Sequence, residues 1–265
     1  MTSLKIIDLN CDMGEGIGND ASIMPWISSA NIACGYHAGD DASMLQTIQW
    51  AKQTGVAIGA HVSFADKENF GRTEMNLSAR EIHELVTRQL VTLQVFANTL
   101  DMPMLHIKPH GALYNMSARD PELARVIAGA ARDFDENIIL FGLSGSHSIH
   151  EARIMGLQTV SEVFADRSYQ NDGSLTPRNK AGALINDINK AVAQAVQMVK
   201  ERTVTTISGK TIPVAADSIC IHGDGAHAVE FAKGINEALR FHSIEIKAPV
   251  KNTDYQDRYK LDTNA

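Results

Sequence analysis

Aspartates, histidines, a lysine and an arginine recur in this sequence at the ends of short apolar runs, and these residue types move protons and hold charge. One run leads into Asp8-Leu9-Asn10-Cys11-Asp12-Met13-Gly14-Glu15, another into Cys34-Gly35-Tyr36-His37-Ala38-Gly39-Asp40, and a third ends at His61. Later runs end in His106-Ile107-Lys108-Pro109-His110, in Glu162-Val163-Phe164-Ala165-Asp166-Arg167 and in Cys220-Ile221-His222-Gly223-Asp224. By the strand period of two, Asp8, Asn10 and Asp12 share one face, as do His106, Lys108 and His110. Charges directed into an interior are costly unless they bind a ligand or one another. Carboxylates and imidazoles so placed suit proton transfer, while Lys108 and Arg167 suit stabilisation of a phosphate or an oxyanion. One Asp and two His, as in Asp12, His61 and His110, also make a plausible divalent-metal set. No compact ligand pair supports it, so a tightly bound transition metal is not expected, though not excluded. His83 and His242 fall on expected helix surfaces and are read as structural.

The elements that position these residues alternate. Short strands are predicted over Lys5–Asn10, Asn31–Cys34, Val56–His61, Met104–Lys108, Ile138–Phe141, Thr159–Phe164 and Ser218–His222. Helices are predicted over Ser78–Leu100, where Ser78 and Glu81 form a capping box, and over Pro121–Arg132, where Asp120 is the N-cap. Two more are predicted over Lys180–Arg202, with Leu184, Ile188, Val192, Val196 and Val199 on one face, and over Ala226–Phe241. Residues 205–214 read as a β-hairpin turning at Ser208-Gly209. Strand-then-helix order requires parallel strands. A distorted, seven-stranded (β/α) barrel over residues 1–250, followed by a polar tail over 251–265, is the expected α/β architecture; an open doubly wound sheet is the alternative. In either, the C-terminal strand ends are where active sites are built.

Bulk properties exclude several function classes. The chain has 265 residues, 44% of them hydrophobic, and a net charge of −7. It has no basic stripe for nucleic acid and no apolar run of the roughly 18 residues that cross a membrane. Its first residues do not read as a signal peptide. Cys11, Cys34 and Cys220 are odd in number and far apart, and read as buried thiols in a reducing cytoplasm. Two segments imitate nucleotide motifs. Ser208-Gly209-Lys210-Thr211 ends like a P-loop, but Val204 stands where the first glycine belongs; Gly14-Glu15-Gly16-Ile17-Gly18-Asn19 lacks the last glycine of a dinucleotide fingerprint. His222-Gly223-Asp224-Gly225, just before a helix, could hold an anion on its amides or be an ordinary turn.

The strand-end segments carry a resemblance. Asp8 to Glu15, Ser29 to Asp40, Lys108-Pro109-His110-Gly111-Ala112-Leu113-Tyr114-Asn115, Glu162 to Arg167 and Ile219 to Asp224 closely resemble the LamB/YcsF lactam-utilisation family, in order, across about residues 5–248. The run His61-Val62-Ser63-Phe64-Ala65-Asp66 departs from the family, which usually has proline after the histidine, and this bears on substrate range. The resemblance implies a cytoplasmic protein with the glycoside hydrolase/deacetylase type of barrel. It further implies 5-oxoprolinase activity with separate B and C subunits, in which ATP (with Mg2+) drives opening of 5-oxo-L-proline to L-glutamate.

A lactam is a resonance-stabilised amide, and ATP can activate it by phosphorylating the amide oxygen. Water must then be activated and the ring nitrogen protonated. For that chemistry Asp12, His61 and His110 are the proton-transfer candidates, with Asn10 orienting, Lys108 stabilising charge and Asp166 of second rank or simply holding Arg167. Glu15, His37, Asp40, Glu162, Arg167, His222 and Asp224 are the substrate-binding candidates. A metal-dependent amidohydrolase or deacetylase, and a non-catalytic substrate-binding protein of the complex, remain open beside this reading.

Overall fold

A computed structural model describes residues 5–222 and 227–252. Six strands come first: β1 Lys5–Met13, β2 Ser29–Ala33, β3 Ala57–Val62, β4 Met104–Pro109, β5 Ile139–Leu143 and β6 Thr159–Phe164. A hairpin of β7 Thr203–Thr205 and β8 Thr211–Pro213 precedes β9 Ser218–Ile221 and β10 Ile244–Ile246. Strands β1 to β6 pair in sequence order, all parallel, and β9 closes the ring by pairing with both β6 and β1. Ser218 stands at the closure, opposite Glu162 on one side and Asp8 on the other. This is the seven-stranded (β/α) barrel expected from the sequence. It is distorted: the β3–β4 register shifts between Ile58 and Gly59, and β10 rather than β9 flanks the first three residues of β1.

The helices are α1 Asp20–Ile23, α2 Asp41–Thr54, α3 Ala79–Thr99, α4 Gly111–Arg119, α5 Pro121–Phe134, α6 His147–Ile154, α7 Ile188–Glu201 and α8 Ala228–Phe241. The expected caps are in place: Ser78 and Glu81 form a reciprocal box at α3, and Asp120 accepts from Glu122 N and Leu123 N ahead of Pro121. The helix expected from Lys180 begins only at Ile188. Gly182 takes a φ of +77°, Asp187 caps α7 instead, and Leu184 bridges to Arg167 in the preceding loop.

Period two explains the barrel wall. Ile7, Leu9, Cys11 and Met13 on β1 join the large core between strands and helices, while Asp8, Asn10 and Asp12 point to the axis. Inside the barrel, Ile139, Phe141 and Val160 form a small separate apolar cluster, and His106 lies against Phe141 with ring centroids 4.3 Å apart. Gly59 makes room for that imidazole: a Cβ there would stand 2.2 Å from His106 Cδ2. Lys251 pairs with Asp135 at 2.6 Å, and the rest of the expected tail, beyond Asn252, lies outside the described residues. Among the described residues no helix is long and apolar enough to cross a membrane.

Candidate active site

The β1 and β4 side chains that face the axis meet above the apolar plug. Lys108 Nζ lies 2.8 Å from Asp12 Oδ1, 2.9 Å from Glu162 Oε1, 3.2 Å from Asn10 Oδ1 and 3.1 Å from Cys220 Sγ. Asn31 Nδ2 donates to Asn10 Oδ1 at 2.7 Å and to Asp12 Oδ1 at 2.9 Å, and Tyr114 OH donates to Glu162 Oε2 at 2.8 Å. Asn10 Nδ2 donates to Glu162 Oε1 at 2.9 Å and to Ser218 Oγ at 2.7 Å, and Ser218 in turn donates to Asp8. All these side chains are buried, so each charge depends on its partners. Burial alone would lower the Lys108 ammonium, but the carboxylates of Asp12 and Glu162 outweigh it and hold it well above the ordinary lysine value. Burial would likewise raise Asp12, but its contacts with His61 and with the Lys108 ammonium hold it well below the ordinary carboxylate value. Burial raises the Cys220 thiol, which stays protonated and accepts from Lys108.

A second cluster sits beside the first. His61 Nε2 is 3.2 Å from Asp12 Oδ2 and 2.9 Å from His110 Nδ1. His37 stacks on His110 with centroids 3.9 Å apart, and its Nε2 is 3.2 Å from Glu15 Oε1. Burial, with His61 adding to it, lowers His37 to about 2 and places His110 well below the ordinary histidine value. Gly71, at a φ of +66°, lets its loop close over these rings: a Cβ there would lie 2.8 Å from His37 Cβ.

A cavity of about 750 Å3 opens above both clusters, lined among others by Asp12, His61, Lys108, His110, Arg167 and His222. His61, His110 and His222 thus share one pocket at the C-terminal strand ends, as expected from the sequence. Asp166 does not hold Arg167; its Oδ2 pairs with His222 Nδ1 at 2.7 Å. Arg167 donates to Thr176 O at 2.7 Å, while its buried Nε has no partner among the described residues. Burial and neighbouring Arg178 lower Arg167 to about 10. Asp40 stands apart from the pocket: it is exposed and caps α2, accepting from Ser43 N. Asp224 lies outside the described residues.

Sequence reasoning misses Asn31, Tyr114 and Cys220 as members of the first cluster. Asn31 is a polar residue within Ser-Ala-Asn-Ile-Ala, and Tyr114 follows Gly111 by one helical turn; both are visible signals. Cys220, read as a core thiol, instead touches Lys108.

A seven-stranded parallel barrel with buried, paired ionisable groups under an open cavity at its C-terminal strand ends has the build of a small-molecule hydrolase. Residues 7–254 match the LamB/YcsF family, and the chain belongs to that family. It is 50% identical over 250 residues to a Brevibacillus brevis protein named as the A subunit of 5-oxoprolinase, covering 92% of this chain and 98% of that one. It is similar to the crystal structure of a lactam utilization protein from Thermus thermophilus, with TM-score 0.86 and 41% identity over 92% of this chain and 100% of that one. A family 4 carbohydrate esterase from Streptomyces lividans shares the fold, at TM-score 0.52 and 10% identity over 94% of this chain and 95% of that one.

Proposed function

We propose that this chain is the A subunit of a 5-oxoprolinase, contributing its barrel pocket to the ATP-dependent opening of 5-oxo-L-proline in a complex with B and C subunits in the cytoplasm. The observation that carries the reading is the 50% identity, over nearly the whole of both chains, to a relative named as that A subunit. The pocket supplies what the chemistry needs. 5-Oxoproline has a carboxylate and a lactam carbonyl, and Arg167, with a buried Nε free to donate, suits an anionic group of the substrate or of a phosphate. Lys108, fixed among Asp12, Glu162 and Asn10, is a preorganised positive charge toward which an oxyanion can develop. Asp12, His61 and His110 are assigned water activation and protonation of the ring nitrogen, with Asn10 and Asn31 holding Asp12 and Lys108 in place. Asp166 orients His222 at the pocket wall.

Coupling gives the partners their place. A phosphorylated amide must be kept from bulk water until attack is productive, and the cavity here is open at its mouth. The experiment is to combine the chain with its candidate B and C partners and measure glutamate, ADP and phosphate from 5-oxoproline, ATP and Mg2+. Glutamate formed only with ATP and all partners supports the reading. Amide or acetyl hydrolysis by the chain without ATP overturns it in favour of a self-sufficient amidohydrolase.

A further inference from the structure

His61, His110 and His37 present a proton-inventory problem. His61 Nδ1 lies 3.1 Å from the Lys108 carbonyl, and His110 Nε2 lies 3.0 Å from the Phe70 carbonyl. A carbonyl only accepts, so each of those ring nitrogens carries a proton. In the neutral rings the remaining nitrogens, His61 Nε2 and His110 Nδ1, are then lone pairs, and they face each other across 2.9 Å. His37 repeats the pattern. The Ser63 hydroxyl donates to Phe64 O at 3.0 Å, so His37 Nδ1 donates to Ser63 Oγ at 2.9 Å, and the Nε2 lone pair is left 3.2 Å from Glu15 Oε1. Acceptors brought this close require an electrophile among them, a proton or a cation, and Asp12 Oδ2, 3.2 Å from His61 Nε2, adds one more acceptor to the group. The four ligand atoms lie within 4.8 Å of one another, the spacing of donors around a single ion.

We propose that Glu15, His37, His61 and His110 form a binding site for one divalent first-row transition ion of the zinc kind. Three imidazole nitrogens and one carboxylate oxygen suit a borderline cation; a hard ion such as Mg2+ prefers oxygens and its own waters. The ring N–H groups committed to Lys108 O, Phe70 O and Ser63 are the outer partners that fix tautomer and orientation in metal sites. Ring packing holds the donors in place, with His37 and His110 stacked and Phe70 edge-on to both. The neighbouring trio Asp12, Cys220 and His222 is a poorer site, because the Lys108 ammonium already lies 2.8 Å from Asp12 and 3.1 Å from Cys220. The ligands come from four separate segments, so no short motif announces them in the sequence. Such an ion would find in these four donors a complete tetrahedral shell. It would reserve His61 and His110 for holding the ion and leave proton transfer to Asp12.

The site stands independently of the lactam reading, because its test measures binding and not turnover. The full chain, purified after chelator treatment, is titrated with Co2+ as a spectroscopic probe and with Zn2+. The expected result is about one equivalent of Co2+ retained through gel filtration, with visible ligand-field bands, displaced by Zn2+ and raising Tm. His37→Ala and His110→Ala should each weaken retention at least about tenfold, and the surface variant His83→Ala should retain the ion fully. Wild-type chain that keeps no Co2+ or Zn2+ and shows no shift in Tm overturns the proposal, whatever the variants do, and assigns a shared proton to the space between His61 and His110. Stoichiometric binding that survives both alanine substitutions, in variants that fold as wild type, overturns it as well.

Discussion

Lys108 Nζ on β4 lies 2.9 Å from Glu162 Oε1 on β6, joining two strands that β5 separates through the barrel interior. The same ammonium holds Asp12 at 2.8 Å, so one positive charge ties two buried carboxylates. Lys108→Met should therefore destabilise the fold by roughly 3–5 kcal/mol, because it strands charges out of water. Adding Glu162→Gln should recover part of the loss. Urea unfolding of both variants checks this; a single variant as stable as wild type contradicts it.

Beneath that pair, His106 occupies space that Gly59 leaves open. Gly59→Ala would drive a Cβ into a rigid ring already bonded to Asn31 Oδ1 at 2.7 Å. The expected cost is about 1–3 kcal/mol or more, and His106→Ala in the same chain should relieve much of it. A non-additive double-mutant cycle in thermal unfolding is the signature; additivity places the two apart.

Asp8 gives stability a pH dependence of known sign. Burial raises its carboxyl from 3.8 to about 6, against the hydroxyls of Ser218, Ser28 and Ser29, and Glu162 adds to the rise. The folded pKa exceeds the unfolded one, so the folded state binds more protons between these values. Stability from this group is intact below the unfolded pKa and falls as pH rises to about 6, by about 3 kcal/mol in all. Measured from pH 4 to 7, the stability difference between wild type and Asp8→Asn should shift by that order in favour of the variant. A pH-independent difference contradicts the assignment.

How legible this is in the sequence follows from what each signal encodes. The inward face of Asp8, Asn10 and Asp12 and the caps at Ser78 and Asp120 are local, and period and spacing record them. The start of α7 is easily misread because Leu184, Ile188 and Val192 keep helical phase. Phase does not register that Gly182 turns the chain and Asp187 begins the helix. The Lys108 cluster joins β1, β2, β4, α4, β6 and β9, and only closure of the barrel brings Tyr114 and Cys220 to it. Asp40 reads as a pocket residue because it ends a strand-like segment, yet an Asp three residues before Ser43 is also an N-cap signal, and that is how it is used.

The pocket's chemistry is tested most directly by turnover of the complete complex carrying one altered side chain. With Asp12→Asn in the chain and all partners present, glutamate release from 5-oxoproline should fall by roughly 100-fold or more, as on loss of a general acid or base. Co-purification and the circular dichroism spectrum, measured on the same samples, should show assembly and fold unchanged. Near-normal glutamate release from the assembled Asp12→Asn complex would contradict the account and place the lactam-opening chemistry in one of the partners.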